Sequence, residues 1–142
     1  AGATHIGVSM VQTPKQMLAM RRALDQLGAT GVKLVSKIET LSAMKNLEAI
    51  VRLSDIVMIA RGDLRTALVT PEALHEAEGK IAAVCKRLGR PFIDATGFEG
   101  PNAAAEVKNA RRIGTSYVLL KNTAVLGYQP IEIVKNLSDL LR

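Results

Sequence analysis

The chain has 142 residues, 48% of them hydrophobic and 23% charged, a composition typical of one globular domain. Its net charge of +6 favours anionic partners, but no basic stretch is interleaved with stacking aromatic residues, so we expect no nucleic-acid partner. There is no signal-peptide pattern, no apolar run of the roughly 18 residues that a membrane span needs, and one cysteine, Cys85. We therefore expect a cytoplasmic protein that has no membrane contact and no internal disulfide.

Short aliphatic runs alternate with helical patterns along the whole chain. Thr13 and Thr70 precede Pro14 and Pro71, which places a capping hydroxyl and a proline at the start of a helix. The patterns predict strands at 4–11, 32–38, 55–60, 91–95 and 116–121, and helices at about 14–27, 41–53, 71–88, 102–112 and 130–141.

Five β–α units with strands that are apolar on both faces predict a parallel sheet covered by helices. A doubly wound sheet and a (β/α) barrel both satisfy this pattern. No Gly-rich fingerprint follows the first strand, where residues 8–14 read VSMVQTP, and this disfavours dinucleotide binding. The pattern of elements leaves both α/β architectures open.

Charged residues end the second and third strands. Lys37 and Glu39, in SKIE, are two residues apart, so in an extended chain they share a face. We expect the same of Arg61 and Asp63, in ARGD. Because neighbouring parallel strands lie about 4.8 Å apart, Glu39 and Asp63 are expected to approach each other beside the Lys37 ammonium.

Two carboxylates held close together repel each other unless a cation joins them, and oxygen ligands suit a hard ion such as Mg²⁺. A lysine beside that ion fits the transfer of a phosphoryl group, whose charge needs compensation. The alternative is that both pairs are salt bridges at the rim of the sheet, with little energetic value. Spacing alone does not separate these two interpretations.

Residues 33–64, KLVSKIETLSAMKNLEAIVRLSDIVMIARGDL, resemble the part of pyruvate kinase in which a lysine, a glutamate and an aspartate surround the metal and phosphoenolpyruvate. GATHIGVSMVQTPKQM before this segment, and CKRLGRPFIDAT and TSYVLLKNTAVLGYQPIEIV after it, are similar to the family in the same order. The resemblance implies a partial (β/α) TIM-type barrel of about five parallel strands with covering helices. It also implies that residues 1–142 form a single barrel domain whose first β/α units are absent.

The function that the resemblance implies is Mg²⁺-dependent phosphoryl transfer from phosphoenolpyruvate to ADP, giving pyruvate and ATP. Lys37 matches the lysine that stabilises the phosphoryl group in transit, and Glu39 and Asp63 match the Mg²⁺ ligands. The backbone of Gly62 and Asp63, where the resemblance implies that a short helix begins, matches the site of the substrate carboxylate. Thr96 matches the threonine beside the enolate, and the family's K⁺ ligands lie outside this chain.

Several residues depart from the family's pattern. Arg61 matches a family arginine that braces the loop, but Arg65 stands where the family has glycine. GFEGPNAAAE, at 97–106, is shorter than the family's segment and lacks its arginine, and KNTA, at 121–124, replaces Ser-Gly-Glu-Thr. These departures keep open a non-catalytic oxyacid-binding or assembly module. A class II aldolase or lyase of the phosphoenolpyruvate/pyruvate superfamily also stays open, because IET and NLEAI are similar to its pattern too.

The partners expected are a phosphorylated oxyacid, a nucleotide, and either a second copy of the chain or the missing half-barrel, because five barrel units leave strand edges unpaired. Ser9 and Lys121, at the ends of the first and last strands, are further candidates for the mouth of the site. Asp94 precedes Thr96 by two residues and is expected to point the same way. Arg21 is expected on the solvated outer face of the first helix.

Overall fold

The computed structural model describes residues 2–95 and 102–119 of the chain. All five predicted strands are present there, and none of the described helices is long and apolar enough to cross a membrane. The predicted helix at 130–141 lies outside the described residues. In order, the elements are β1 (His5–Val8), α1 (Pro14–Gln26), β2 (Lys33–Ile38), α2 (Leu41–Lys45), α3 (Leu47–Arg52), β3 (Ile56–Ile59), α4 (Arg61–Ala67), α5 (Pro71–Arg87), β4 (Phe92–Asp94), α6 (Ala103–Ile113) and β5 (Tyr117–Val118).

The five strands form one parallel sheet in the order β1-β2-β3-β4-β5. Each strand therefore pairs with the next one along the chain. A doubly wound sheet reverses its strand order at a switch point, whereas a (β/α) barrel continues in one direction. The sheet order confirms the expected partial barrel and resolves the choice that the sequence pattern left open.

The predicted hydroxyl cap is present at Thr70, and glycines follow the ends of α1 and α5. The Thr70 hydroxyl accepts a hydrogen bond from the Ala73 N–H at 3.2 Å, which caps the start of α5. Gly28 and Gly89 follow α1 and α5 with φ angles of +70° and +63°, the left-handed conformation that lets a chain leave a helix. These caps set where the chain turns back towards the sheet.

The helix predicted at 41–53 is two helices, α2 and α3, which meet at Asn46. The Asn46 side-chain amide donates to the Gln12 carbonyl at 2.9 Å, and this contact ties the junction to the loop after β1. The Thr40 hydroxyl accepts from the Ala43 N–H at 3.0 Å and caps the start of α2. The break between α2 and α3 therefore lies at Asn46, whose side chain binds the loop after β1.

The core lies between the sheet and the helices and is mostly aliphatic. Leu34, Ile38 and Ile59 of the strands are fully buried against helix residues such as Ile81. Burying a side chain of this size stabilises the fold by about 1.5–3 kcal/mol. Cys85 is buried there as well, and burial raises the pKa of its thiol to about 12, so it is protonated and unreactive at neutral pH.

Candidate active site

The carboxyl end of β2 holds an ion pair. Lys37 Nζ lies 2.5 Å from Glu39 Oε1, so the two side chains share a side of the chain, as the sequence predicts. The Glu39 side chain is only 2% exposed and that of Lys37 is 27% exposed. The pair is thus largely withdrawn from water and differs from the exposed salt bridge of the alternative interpretation.

The turn after β1 completes this arrangement. Ser9 Oγ accepts a hydrogen bond from Lys37 Nζ at 3.1 Å, and the Met10 N–H donates to Glu39 Oε2 at 2.5 Å. Met10 has a φ of +52°, a left-handed conformation that raises the energy of a residue with a side chain by about 1–2 kcal/mol. Both oxygens of Glu39 are therefore held, one by an ammonium and the other by a backbone N–H.

The prediction for the end of β3 is wrong in one respect. The sequence predicts that Arg61 and Asp63 share a face of an extended chain, but α4 begins at Arg61. Residues two apart in a helix project about 200° from each other. Arg61 turns inward, whereas Asp63 is exposed in the first turn of α4.

Arg61 is held by two carboxylates from later helices. Its Nε lies 2.5 Å from Oε1 of the fully buried Glu78 of α5, an ion pair, and its guanidinium also pairs with Glu106 of α6. Asn109 Nδ2 donates to Glu78 Oε2 at 2.9 Å. Burial alone would lower the pKa of Arg61, but the hydrogen bond to Glu106 and the nearby carboxylates raise it. Arg61 thus clamps the start of α4 against α5 and α6.

Sequence reasoning missed Glu78, although the sequence contains a signal for it. Glu78 lies in α5 at the spacing of the buried residues Leu74, Ile81 and Cys85, so it sits within the apolar stripe of that helix. A carboxylate in such a stripe is seldom fully buried without a partner. That pattern would have predicted a buried cation opposite α5.

Asp94 ends β4 and is fully buried. Among the described residues neither of its carboxylate oxygens has a hydrogen-bond partner. Burial raises the pKa of Asp94 to about 7 despite the opposing charge of Arg61. Thr96 and Lys121, which the sequence placed near it at the mouth of the site, lie outside the described residues.

The ends of β2 and β3 lie side by side, because the Ala60 N–H donates to the Ile38 carbonyl at 3.3 Å. Glu39 follows β2 directly and Asp63 lies just beyond β3. Gly62 is exposed, and a Cβ added there would meet no atom within 4 Å, so its backbone faces open space. In the described ranges no three His, Cys, Asp or Glu side chains are grouped to hold a metal by themselves.

Residues 1–134 match the family model "Pyruvate kinase, barrel domain". The chain belongs to the pyruvate kinase family. It is 29% identical to the pyruvate kinase of Bacillus licheniformis over 98% of its length, and 31% identical to that of Staphylococcus aureus (strain MRSA252) over 95%. It also resembles a crystal structure of a pyruvate kinase from Cryptosporidium parvum, with a TM-score of 0.77 and 26% identity over 84% of this chain.

The match covers a limited part of each relative. The chain spans 25% of the Bacillus licheniformis pyruvate kinase, 24% of the Staphylococcus aureus one and 27% of the Cryptosporidium parvum chain. The part of this chain that matches the family model, residues 1–134, contains Lys37, Glu39 and Asp63. The activity of these much longer relatives is therefore a proposal for this chain.

Proposed function

We propose that this chain serves Mg²⁺-dependent phosphoryl transfer from phosphoenolpyruvate to ADP, giving pyruvate and ATP. The observation that carries the proposal is the Lys37–Glu39 pair at the carboxyl end of β2, in which Glu39 is nearly fully buried. The pair lies next to the end of β3, and the exposed Asp63 follows that strand. Ligands of barrel enzymes bind at the carboxyl ends of the strands. Membership of the pyruvate kinase family supports the choice of reaction.

Lys37 is the residue that stabilises the transferring phosphoryl group in this proposal. A lysine ammonium has three N–H donors, and here two of them are directed at Glu39 and Ser9. The third remains for a phosphoryl oxygen. Because its partners already fix the ammonium, its charge needs no reorganisation when negative charge develops on the substrate.

Glu39 and Asp63 are the residues proposed to hold Mg²⁺, and their oxygen donors fit that ion. A carboxylate offers about four lone-pair sites, so Glu39 retains acceptor capacity beside its contacts with Lys37 and Met10. Asp63 is exposed and so accessible to a hydrated ion. When bound, Mg²⁺ would supply Lewis-acid polarisation and a template for substrate oxygens. We propose no K⁺ ligand in this chain.

The substrate carboxylate is proposed to lie against the backbone of Gly62 and Asp63. The first N–H groups of a helix have no acceptor within the helix, and both residues lie in the first turn of α4. The open space beside Gly62 leaves room for an approaching ligand. The role of Thr96 beside the enolate is proposed from its match to the family alone.

The test is the replacement Lys37→Met, measured in a coupled assay for pyruvate and ATP formation. We expect turnover to fall by at least about 10²-fold, because one preorganised donor to the reacting group is lost. Calorimetric binding of Mg²⁺ with oxalate, a mimic of pyruvate enolate, is expected to persist. Lys80→Met, at an exposed position of α5, is the matched control and should leave both measurements unchanged. Equal activity in Lys37→Met and the parent chain would refute the mechanism.

A second candidate is a module that binds an oxyacid without catalysis. It is favoured by the departures from the family's pattern, Arg65 in place of a glycine and KNTA, at 121–124, in place of Ser-Gly-Glu-Thr. Binding of Mg²⁺ and oxalate without formation of ATP would favour this module over the phosphotransferase. The aldolase or lyase interpretation gains no support from the comparisons, whose reported relatives are all pyruvate kinases.

We also propose that the barrel is completed by a second copy of the chain or by the missing half-barrel. Among the described strands, β1 and β5 are the edges of the sheet, and alternate residues of β1 are exposed. Unpaired strand edges favour association with another chain. Light scattering after size-exclusion chromatography tests this, since a monomer that persists at high concentration would contradict it.

A further inference from the structure

A second concave site lies at the opposite end of the sheet from Lys37. It is a cavity of about 370 Å³ beside the amino ends of β2 and β3, and we name it the amino-end cleft. Four cations, Arg21, Lys33, Arg52 and Arg90, line it together with a single carboxylate, Asp55. The volume lies within the range of small-molecule sites in proteins.

Asp55 serves more than one donor. Its carboxylate lies 2.5 Å from Arg21 and 3.9 Å from Lys33, and it accepts the Leu34 N–H at 2.8 Å. Burial would raise the pKa of Asp55, but the hydrogen bonds from Leu34 and Arg21 and the charges of Arg21 and Lys33 lower it. Arg21 is therefore drawn into the cleft and is not on the solvated outer face expected from the sequence.

The other nearby carboxylate, Glu48, is shared in the same way. It lies 2.6 Å from Arg52 and 2.8 Å from Arg87. Hydrogen bonds from Arg87 and Arg52 lower the pKa of Glu48 to about 2. Glu48 and Arg87 lie outside the lining of the cleft. Among the described residues that line it, four cations face one carboxylate, which leaves an excess of three positive charges.

The wall of the cleft is partly apolar. Leu18 is 41% exposed and lines the cleft together with Leu53, while Thr30 contributes a hydroxyl. None of the described residues that line the cleft is aromatic, so they offer no stacking surface of the kind found in single-stranded nucleic-acid sites. We propose that the amino-end cleft binds a small molecule that carries a phosphate monoester, or a similar dianion, attached to an apolar group.

The amino-end cleft is separate from the candidate active site. Lys33 begins β2 and Glu39 follows its end, and a strand rises about 3.3 Å per residue, so the two positions lie about 20 Å apart. A ligand in the cleft does not touch Lys37. Binding of a ligand in the cleft is therefore independent of the proposed phosphoryl transfer.

The experiment uses phenyl phosphate as the probe, with phenol and inorganic phosphate for comparison, in a ¹H–¹⁵N NMR titration of the chain at low salt without Mg²⁺. We expect phenyl phosphate to shift the amide signals of Thr30, Lys33 and Leu53. Inorganic phosphate is expected to bind more weakly and phenol not at all. No shift with phenyl phosphate, or equal affinity for phenol, would overturn the proposal.

Charge variants locate the bound probe. In Lys33→Gln/Arg90→Gln we expect affinity to fall about tenfold or more, the scale of one lost hydrogen bond to a charged group. The double variant Lys80→Gln/Lys108→Gln removes the same charge from exposed helix positions and is expected to retain the affinity. Equal weakening in this control would show a non-specific charge effect. Weakening in Lys37→Met would place the probe in the candidate active site, and either result overturns the proposal.

Discussion

The ends of β2 and β3 carry the same pattern, a cation and an acid two residues apart, yet the two pairs behave differently. At β2, Lys37 and Glu39 contact each other at 2.5 Å, with Glu39 nearly fully buried and Lys37 partly buried. At β3, Arg61 faces Glu78 and Glu106 from distant helices, and Asp63 is exposed. Lys37 and Glu39 therefore form an ion pair with each other. Arg61 instead has a structural role, and Asp63 is accessible to solvent.

The difference comes from the backbone. Lys37 lies in a strand, where residues two apart share a side, whereas Arg61 and Asp63 lie in the first turn of a helix, where they diverge. The divergence suits the proposed function, because it separates bracing of the turn from ligand contact. It also predicts that the residues of the two pairs contribute unequally to stability and to ligand binding.

The largest expected effect is on the inward side of β3. Arg61→Ala would leave Glu78 fully buried without its cation, and breaking such a pair lowers stability by about 3–5 kcal/mol. Urea unfolding followed by circular dichroism measures this change. Adding Glu78→Gln to Arg61→Ala should restore part of the loss, because the uncompensated charge is then removed.

Asp63→Ala is the matched replacement on the outward side. Since Asp63 is exposed, we expect its removal to change stability by no more than about 0.5 kcal/mol. Mg²⁺-dependent oxalate binding is expected to be lost in the same variant. A loss of stability as large as that of Arg61→Ala would mean that both residues of the ARGD pattern are structural.

Much of the fold follows from local signals in the sequence. The alternation of strands and helices, the threonine–proline starts and the glycines after α1 and α5 all depend on neighbouring residues, and the Lys37–Glu39 contact depends only on strand periodicity. The start of α4 has no such local signal, and only the family resemblance implies a short helix there. Ala60 precedes it without a side-chain acceptor, and Gly62 in its first turn is a poor helix former.

The partners of Arg61 and Arg21 could not be identified from the sequence for a different reason. Glu78 and Glu106 lie 17 and 45 residues after Arg61 in the chain, and Asp55 lies 34 residues after Arg21. The apolar stripe of α5 indicates that Glu78 needs a buried cation, but which cation it meets depends on how the helices pack on the sheet. The inward side of the site was therefore the part that sequence reasoning missed.

Asp94 gives a pH-dependent test of the same buried region. Its pKa is about 7 in the folded protein and near 3.8 when unfolded, so between these values the folded state binds more protons. Stability should therefore fall as pH rises from about 4 to 7, by at most about 1.4 kcal/mol per pH unit for this group. Asp94→Asn should remove that slope. Urea unfolding at several pH values measures it, and an identical slope in the variant would contradict the assignment.

At the β2 end, Glu39→Gln tests the local pair. The amide oxygen can still accept the Met10 N–H, but the charge opposite Lys37 is lost, so we expect stability to fall by about 1–3 kcal/mol. Thermal unfolding measures the change, and Glu76→Gln, at an exposed position of α5, is the control that should match the parent chain. A loss no larger than that of the control would mean that the Lys37–Glu39 pair contributes little.

The sharpest separation of stability from ligand binding is expected at Gly62, the one replacement predicted to raise stability. A Cβ there meets no neighbouring atom and Gly62 is helical, so Gly62→Ala should stabilise the protein, by up to about 1 kcal/mol. The same methyl group would enter the space through which a carboxylate reaches the backbone of α4. Thermal unfolding should therefore show an unchanged or higher midpoint while calorimetry shows weaker oxalate binding. If oxalate binds the variant as tightly as the parent chain, the carboxylate does not lie against the first turn of α4. In that case Asp63 would be the only exposed residue of the ARGD pattern that contributes to ligand binding.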